Sequence, residues 1–193
     1  SLHMNHKRQL QSVDVINELT QVSFIFPIKP KANYERSLGG LGIMAYNERN
    51  GINGIFQNSA AFITYAHNLK FGILSSDILS VGLQVGYENR SLRFSALAWG
   101  AQYNPFFGFD NTLPAPVTEF DDTKGTVIVN AGLMYYYNPD RNYLLYRYSA
   151  FSGFSVTNVN RPDKSFSVDS EEPEPMLWKY NGGVEIKLNK MYV

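Results

Sequence analysis

The sequence predicts an all-β chain, an antiparallel up-and-down transmembrane β-barrel or part of one, and three observations lead there. The first is residues 79–88, Leu-Ser-Val-Gly-Leu-Gln-Val-Gly-Tyr-Glu. Strand side chains alternate with period two, so Leu79, Val81, Leu83, Val85 and Tyr87 share one face while Ser80, Gly82, Gln84, Gly86 and Glu88 share the other. The stretch is about as long as a tilted strand needs to cross a bilayer core. The second observation is recurrence, since residues 126–137 and 177–188 repeat the pattern. The third is sorting: from the fourth strand onward long and tight connections alternate, as they do in barrels with long external loops and short periplasmic turns.

Composition agrees. The chain has 193 residues with 17 Lys+Arg and 17 Asp+Glu, so it has no net charge and offers no electrostatic footprint for nucleic acid. It holds 13 Tyr, 13 Phe and 15 Gly, while charged residues make up 18%, below the roughly 25% of an average soluble domain. With no cysteine there is no disulfide framework and no thiolate metal site. No apolar run reaches the length of a transmembrane helix, and the slightly negative overall hydropathy is what alternation produces in a barrel.

Taken in order, residues 1–20 read as a leader or tag-derived segment, without the apolar centre of a signal peptide, and are set apart from a barrel domain at 21–193. The first strand is residues 21–28, stopped by Pro27 and Pro30, which cannot donate to a ladder. Residues 39–46 form the next, and the Asn- and Gly-rich residues 47–54 predict a hairpin turn. Residues 56–67 follow, and 68–77 lead into the strand at 79–88. The region 89–125 is a long connection containing an aromatic segment, and such a connection is either functional or packed by its own side chains. After the strand at 126–137, Asn138-Pro139-Asp140-Arg141 predicts a tight turn. Residues 143–157 run back, the proline-bearing polar stretch 158–175 is a loop, and 177–188 is the last full strand. That makes about seven strands, with Met191-Tyr192-Val193 opening another, so the barrel is expected to remain incomplete at the C-terminus.

Tyr87, Tyr135, Tyr137, Trp178 and Tyr180 are the expected membrane-facing aromatics. Trp99, Gly100, Tyr103, Pro105, Phe107 and Phe109 form the densest aromatic and turn-forming cluster, with two readings: a partner-binding external loop, or a loop packing its own rings over the barrel mouth. Glu119, Asp121 and Asp122, with Asp169, Glu171, Glu172 and Glu174, match no calcium-loop spacing and read as solvated acidic loops, so no metal site is assigned. His3 and His6 lie in the segment set apart, and a Ser-His-Asp arrangement would rest on His67 alone. No phosphate-binding glycine loop is present; Gly82 and Gly86 read as close-packing positions in a curved sheet. No catalytic residue and no cofactor is expected.

Residues 39–48 (Gly-Gly-Leu-Gly-Ile-Met-Ala-Tyr-Asn-Glu), 79–86, 97–105 with Gly108-Phe109, 130–137 (Asn-Ala-Gly-Leu-Met-Tyr-Tyr-Tyr) and 158–166 (Asn-Val-Asn-Arg-Pro-Asp-Lys-Ser-Phe) resemble, in that order, the PorP/SprF family. The resemblance covers roughly residues 23–193; family members carry a signal peptide, an early Asn-Pro-Ala-like segment and a continuation, so the stretch read here is expected to be a family member without both ends. It implies an outer-membrane, non-enzymatic component of the type IX secretion and gliding-motility machinery of Bacteroidota, assisting protein transport or surface anchoring of cargo. Its partners would be other type IX secretion or gliding proteins, secreted cargo and outer-membrane lipid. The alternative is a soluble β-sandwich ligand-binding module of a cell-surface protein, whose core would use the same alternating faces.

Overall fold

A computed structural model describes residues 1–9, 15–30, 38–52, 54–71, 77–93, 97, 99–110, 112–113, 122–137, 148–167 and 172–186. Ten strands are present among them: β1 (Leu2–Gln9), β2 (Val15–Ile28), β3 (Gly39–Ile52), β4 (Phe56–Phe71), β5 (Asp77–Leu92), β6 (Tyr103–Asn104), β7 (Gly108–Phe109), β8 (Thr123–Tyr137), β9 (Tyr148–Thr157) and β10 (Leu177–Ile186). Eight form one antiparallel sheet in the order β1-β2-β3-β4-β5-β8-β9-β10, and β6 and β7 form a small separate hairpin. The large sheet curls into a half-barrel whose end strands, β1 and β10, do not pair with each other. It is a single curled layer, not the two stacked sheets of a sandwich.

The register turns the alternation of single strands into a continuous surface. Across the outer face Phe24, Ile43, Ile63, Val85 and Val129 stand opposite one another, as do Phe26, Leu41, Tyr65, Leu83, Ala131, Val156 and Trp178 in the neighbouring row. Most of these side chains are exposed. On β5 the apolar rows run from Leu79 to Tyr87; at ~3.3 Å per residue and a tilt of ~40° that is a band roughly 20 Å tall, close to the ~25 Å apolar band of membrane barrels. Beyond Tyr87 the same face turns polar, with Asn47, Ser59 and Asn89 in one row and the Asn47 amide donating to Ser59 Oγ at 2.7 Å.

The inner face holds what core there is. Ala60, Phe62 and Ile128 are buried there, with Met44 and Tyr46 packed against them. The accessible surface, 14066 Å², is about one and a half times the ~9,300 Å² of a folded soluble monomer of this mass. One layer cannot bury both of its faces, and the apolar face is the one left outside.

Several boundaries differ from the sequence reading. Residues 2–9 and 15–20, set apart there, are ladder strands: β1 pairs with β2 from Leu2↔Phe24 to Gln9↔Asn17. An edge strand exposed on both sides, β1 is held by backbone hydrogen bonds and needs no hydrophobic alternation, which is why its sequence gives no signal. The expected turn at 47–54 is much shorter, because β3 continues to Ile52 and β4 begins at Phe56, with positive φ at Gly51 near the end of β3 and at Gly54 beyond it. β4 likewise runs on to Phe71, which places His67 inside the strand. The two longest connections, 93–122 and 158–176, leave the same end of the sheet. The expected turn at 138–141, residues 143–147 and 187–188, and Met191-Tyr192-Val193 lie outside the described residues.

Candidate functional site

The inner face is polar near the end from which the long connections leave, and Glu88 is its centre. Period two puts Glu88 on the same side as Gly82, Gln84 and Gly86, and Ala60 stands beside it on β4 with Tyr46 beyond on β3. Because Ala60 is small, the Tyr46 side chain reaches over β4 and its hydroxyl donates to Glu88 Oε1 at 2.9 Å. Asn58 Nδ2 donates to the same oxygen at 2.9 Å. The other oxygen, Oε2, takes Lys164 Nζ at 2.8 Å and Arg90 Nε at 3.4 Å. Glu88 is 3% exposed, and a carboxylate so deep stays ionised only with partners of this kind.

Lys164 comes from the connection between β9 and β10, which folds across the inner face as a strap. The strap leaves β9 through a tight turn with left-handed backbone at Asn158 and Arg161, closed by Arg161 N donating to Asn158 O at 2.9 Å. It then runs beside β8 where β9 no longer does: Val159 N donates to Val129 O at 2.8 Å, and the Asn160 amide both accepts from Val129 N at 3.0 Å and donates to Val127 O at 2.8 Å. Asp163 accepts from Lys124 Nζ at 2.8 Å, and Glu174 pairs with Arg90 at 3.1 Å and with Lys164 at 2.9 Å. Lys124 and the backbone amides of Ser165 and Glu172 hold the Asp163 carboxyl below the usual carboxylate range. Among the acidic residues read as solvated loop, Glu174 is therefore engaged in ion pairs; Glu119, Asp121, Asp169 and Glu171 lie outside the described residues.

The second feature is the aromatic hairpin. A 3-10 turn, Gly100–Gln102, follows Trp99, and buried Gln102 organises it: its backbone N donates to Trp99 O at 2.9 Å, and its side chain accepts from Trp99 N at 3.3 Å and donates to Leu113 O at 2.9 Å. β6 and β7 then form a hairpin whose tip is Pro105, Phe106 and Phe107. Asn104 Oδ1 accepts from Phe106 N at 2.9 Å, and Gly108 supplies the positive φ of 81° that lets the chain turn back. Phe106 is 89% and Phe107 87% exposed, and Tyr103 and Phe109 are exposed beside them. The hairpin presents these four rings to solvent. Phe106, absent from the sequence-derived cluster, is the most exposed; its position after Asn-Pro and two residues before Gly was the available signal.

The expected membrane-facing aromatics fall on the outer face by register, with Tyr87 at one end of the apolar rows, Tyr135 and Tyr137 at the other, and Trp178 and Tyr180 in the rows of Leu83 and Val81. His67 is on that face too, with its Nδ1 3.3 Å from the Tyr65 hydroxyl. Among the described residues no group of carboxylates and histidines is arranged to hold a metal ion, and no helix is long and apolar enough to cross a membrane.

A curled antiparallel sheet, apolar outside and charged inside under a folded-in loop, has the make-up of a membrane β-barrel protein and fits part of one. The chain belongs to the PorP/SprF family: the family model described as type IX secretion system membrane protein PorP/SprF matches residues 1–193. No curated protein and no solved structure matches it.

Proposed function

We propose that this chain acts in the outer membrane as a component of the type IX secretion and gliding machinery, assisting export or surface anchoring of cargo. The observation that carries this is the outer face, a band of exposed Val, Ile, Leu and aromatic side chains continuous across the strands, in a chain whose family is a secretion-system membrane component. Such a face is stable against lipid and costly against water. Tyr87, Tyr135, Tyr137, Trp178 and Tyr180 are its aromatic contacts with the bilayer. The partners are other proteins of the machinery and secreted cargo, met by Trp99, Gly100, Tyr103, Pro105, Phe107 and Phe109, with Phe106 added at the tip. Within that hairpin the roles divide: Gln102, Asn104 and Gly108 hold its shape, and the phenylalanines make the contact.

The test is the double substitution Phe106→Ser, Phe107→Ser in cells that depend on this protein for secretion. Both rings point into solvent, so the folded sheet and its heat-modifiable migration are expected to stay unchanged, while cargo display at the surface falls at least tenfold. Normal cargo display in the double variant would remove the hairpin from the mechanism. Purified protein that stays monomeric in plain buffer, with no heat-modifiable migration, would remove the membrane reading altogether.

A further inference from the structure

The strap formed by residues 158–167 and 172–176 is joined to the sheet by hydrogen bonds and ion pairs. The buried apolar cluster is Ala60, Phe62 and Ile128, with Met44 and Tyr46 against it, and the strap contributes no residue to it. The charges are shared out in a particular way. On the sheet, Glu88 is paired with Arg90; on the strap, Glu174 is paired with Lys164; two further pairs, Lys164 with Glu88 and Arg90 with Glu174, cross between them. Of these four pairs, separating the halves breaks only the two that cross, together with the hydrogen bonds that Val159, Asn160 and Asp163 make to β8. Within this cluster of four each half keeps one cation beside one anion, so lifting the strap strands none of the four, and the usual penalty for breaking a buried ion pair is not incurred there. Lys124 and Asp163 part into water, where each is readily solvated.

We propose that the strap is a gate, latched by Lys164 against Glu88, which opens as a unit while the sheet stays folded. Its exit from β9 carries Asn158 and Arg161 in the left-handed region, the only non-glycine residues with positive φ among those described, and this is the hinge. Closed, it rests at the rim of an uncharged trough on the inner face, where Asn158 N donates to Asn130 Oδ1 at 3.0 Å. That trough has a volume of about 490 Å³ and is lined by Thr64, Gly82, Gln84, Asn130 and Ser155 among others. A row of small residues, Ala66, Gly82 and Gly132, keeps its floor low. Opening uncovers the Glu88 and Arg90 side chains beside it.

The experiment is native-state hydrogen exchange on the full chain folded in detergent, read at the strap amides that donate to the sheet (Asn158 and Val159) and at those of β5 and β8. A gate predicts strap amides exchanging at least 100-fold faster than the sheet. Glu174→Gln, which removes a crossing pair from the strap side, should speed strap exchange at least tenfold more and leave β5 and β8 unchanged. Tryptic cleavage after Lys164 should rise by a similar factor. Glu88→Gln is the matching change on the sheet; if it fails to fold, Glu174→Gln alone carries the test. Strap amides that exchange only together with the sheet, or a strap rate indifferent to Glu174→Gln, would make the strap a fixed plug and overturn the proposal.

Discussion

Two glycines on one strand show how the inner face is built at the scale of single residues. A Cβ at Gly86 would overlap the Phe62 ring opposite it and lie 2.7 Å from Ala61 O, whereas at Gly82 it would meet nothing nearer than 3.8 Å. Phe62 covers Gly86 because no side chain stands in its way, and that cover helps bury the small apolar cluster. Gly86→Ala is therefore expected to cost about 1–3 kcal/mol through overpacking, and Gly82→Ala close to nothing. Urea midpoints of the detergent-folded variants check this; equal midpoints would contradict it. Both glycines are visible in the sequence as close-packing positions, but which one is indispensable depends on the ring across the ladder, a matter of register. Glu88 is similar. Its place on the polar face follows from period two, while Tyr46, Asn58, Arg90 and Lys164 reach it from other segments, so no local pattern announces them.

At the scale of elements, the long connections diverge. Residues 99–110 fold on themselves around Gln102, whereas the strap has its partners on the sheet. This makes the strap sensitive to acid. Lys124 and two backbone amides lower the Asp163 pKa from its ordinary 3.8, so the stabilisation it lends is complete above that value. It is lost as pH falls through the depressed value, because a protonated Asp163 no longer pairs with Lys124. Peptic cleavage beside Phe166, corrected with an unfolded peptide for the protease's own pH profile, is expected to accelerate as pH falls below 3.8 and through the depressed value. The acceleration should be smaller in Asp163→Asn; an identical pH profile in that variant would show that Asp163 does not hold the strap. The sequence marks 158–175 as a polar, proline-bearing loop, and its described residues, 158–167 and 172–175, form no strand of the large sheet. That it folds inward follows from the charges beneath it, which lie on β5 and β8, far away along the chain.

The whole molecule is a sheet with its apolar side outward, and its stability depends on which solvent that side meets. Val85, in the middle of the outer rows and half exposed, tests this. Val85→Arg is expected to cost about 2–4 kcal/mol in a lipid bilayer, as charges do at the midplane of barrels, and far less if the face met water. Folding titrations in liposomes would show the difference as a lowered urea midpoint. By itself the sequence determined the strand-rich class, the two chemically distinct faces, most of the strands after residue 20 and the resemblance to PorP/SprF, because period-two alternation, turn chemistry and motif order are properties of the chain read along its length. The tertiary structure alone decided that β1 belongs to the sheet, that the strap lies inside and that Glu88 is its anchor. Those depend on backbone pairing at an edge and on charges brought together across distant strands, and neither leaves a local mark.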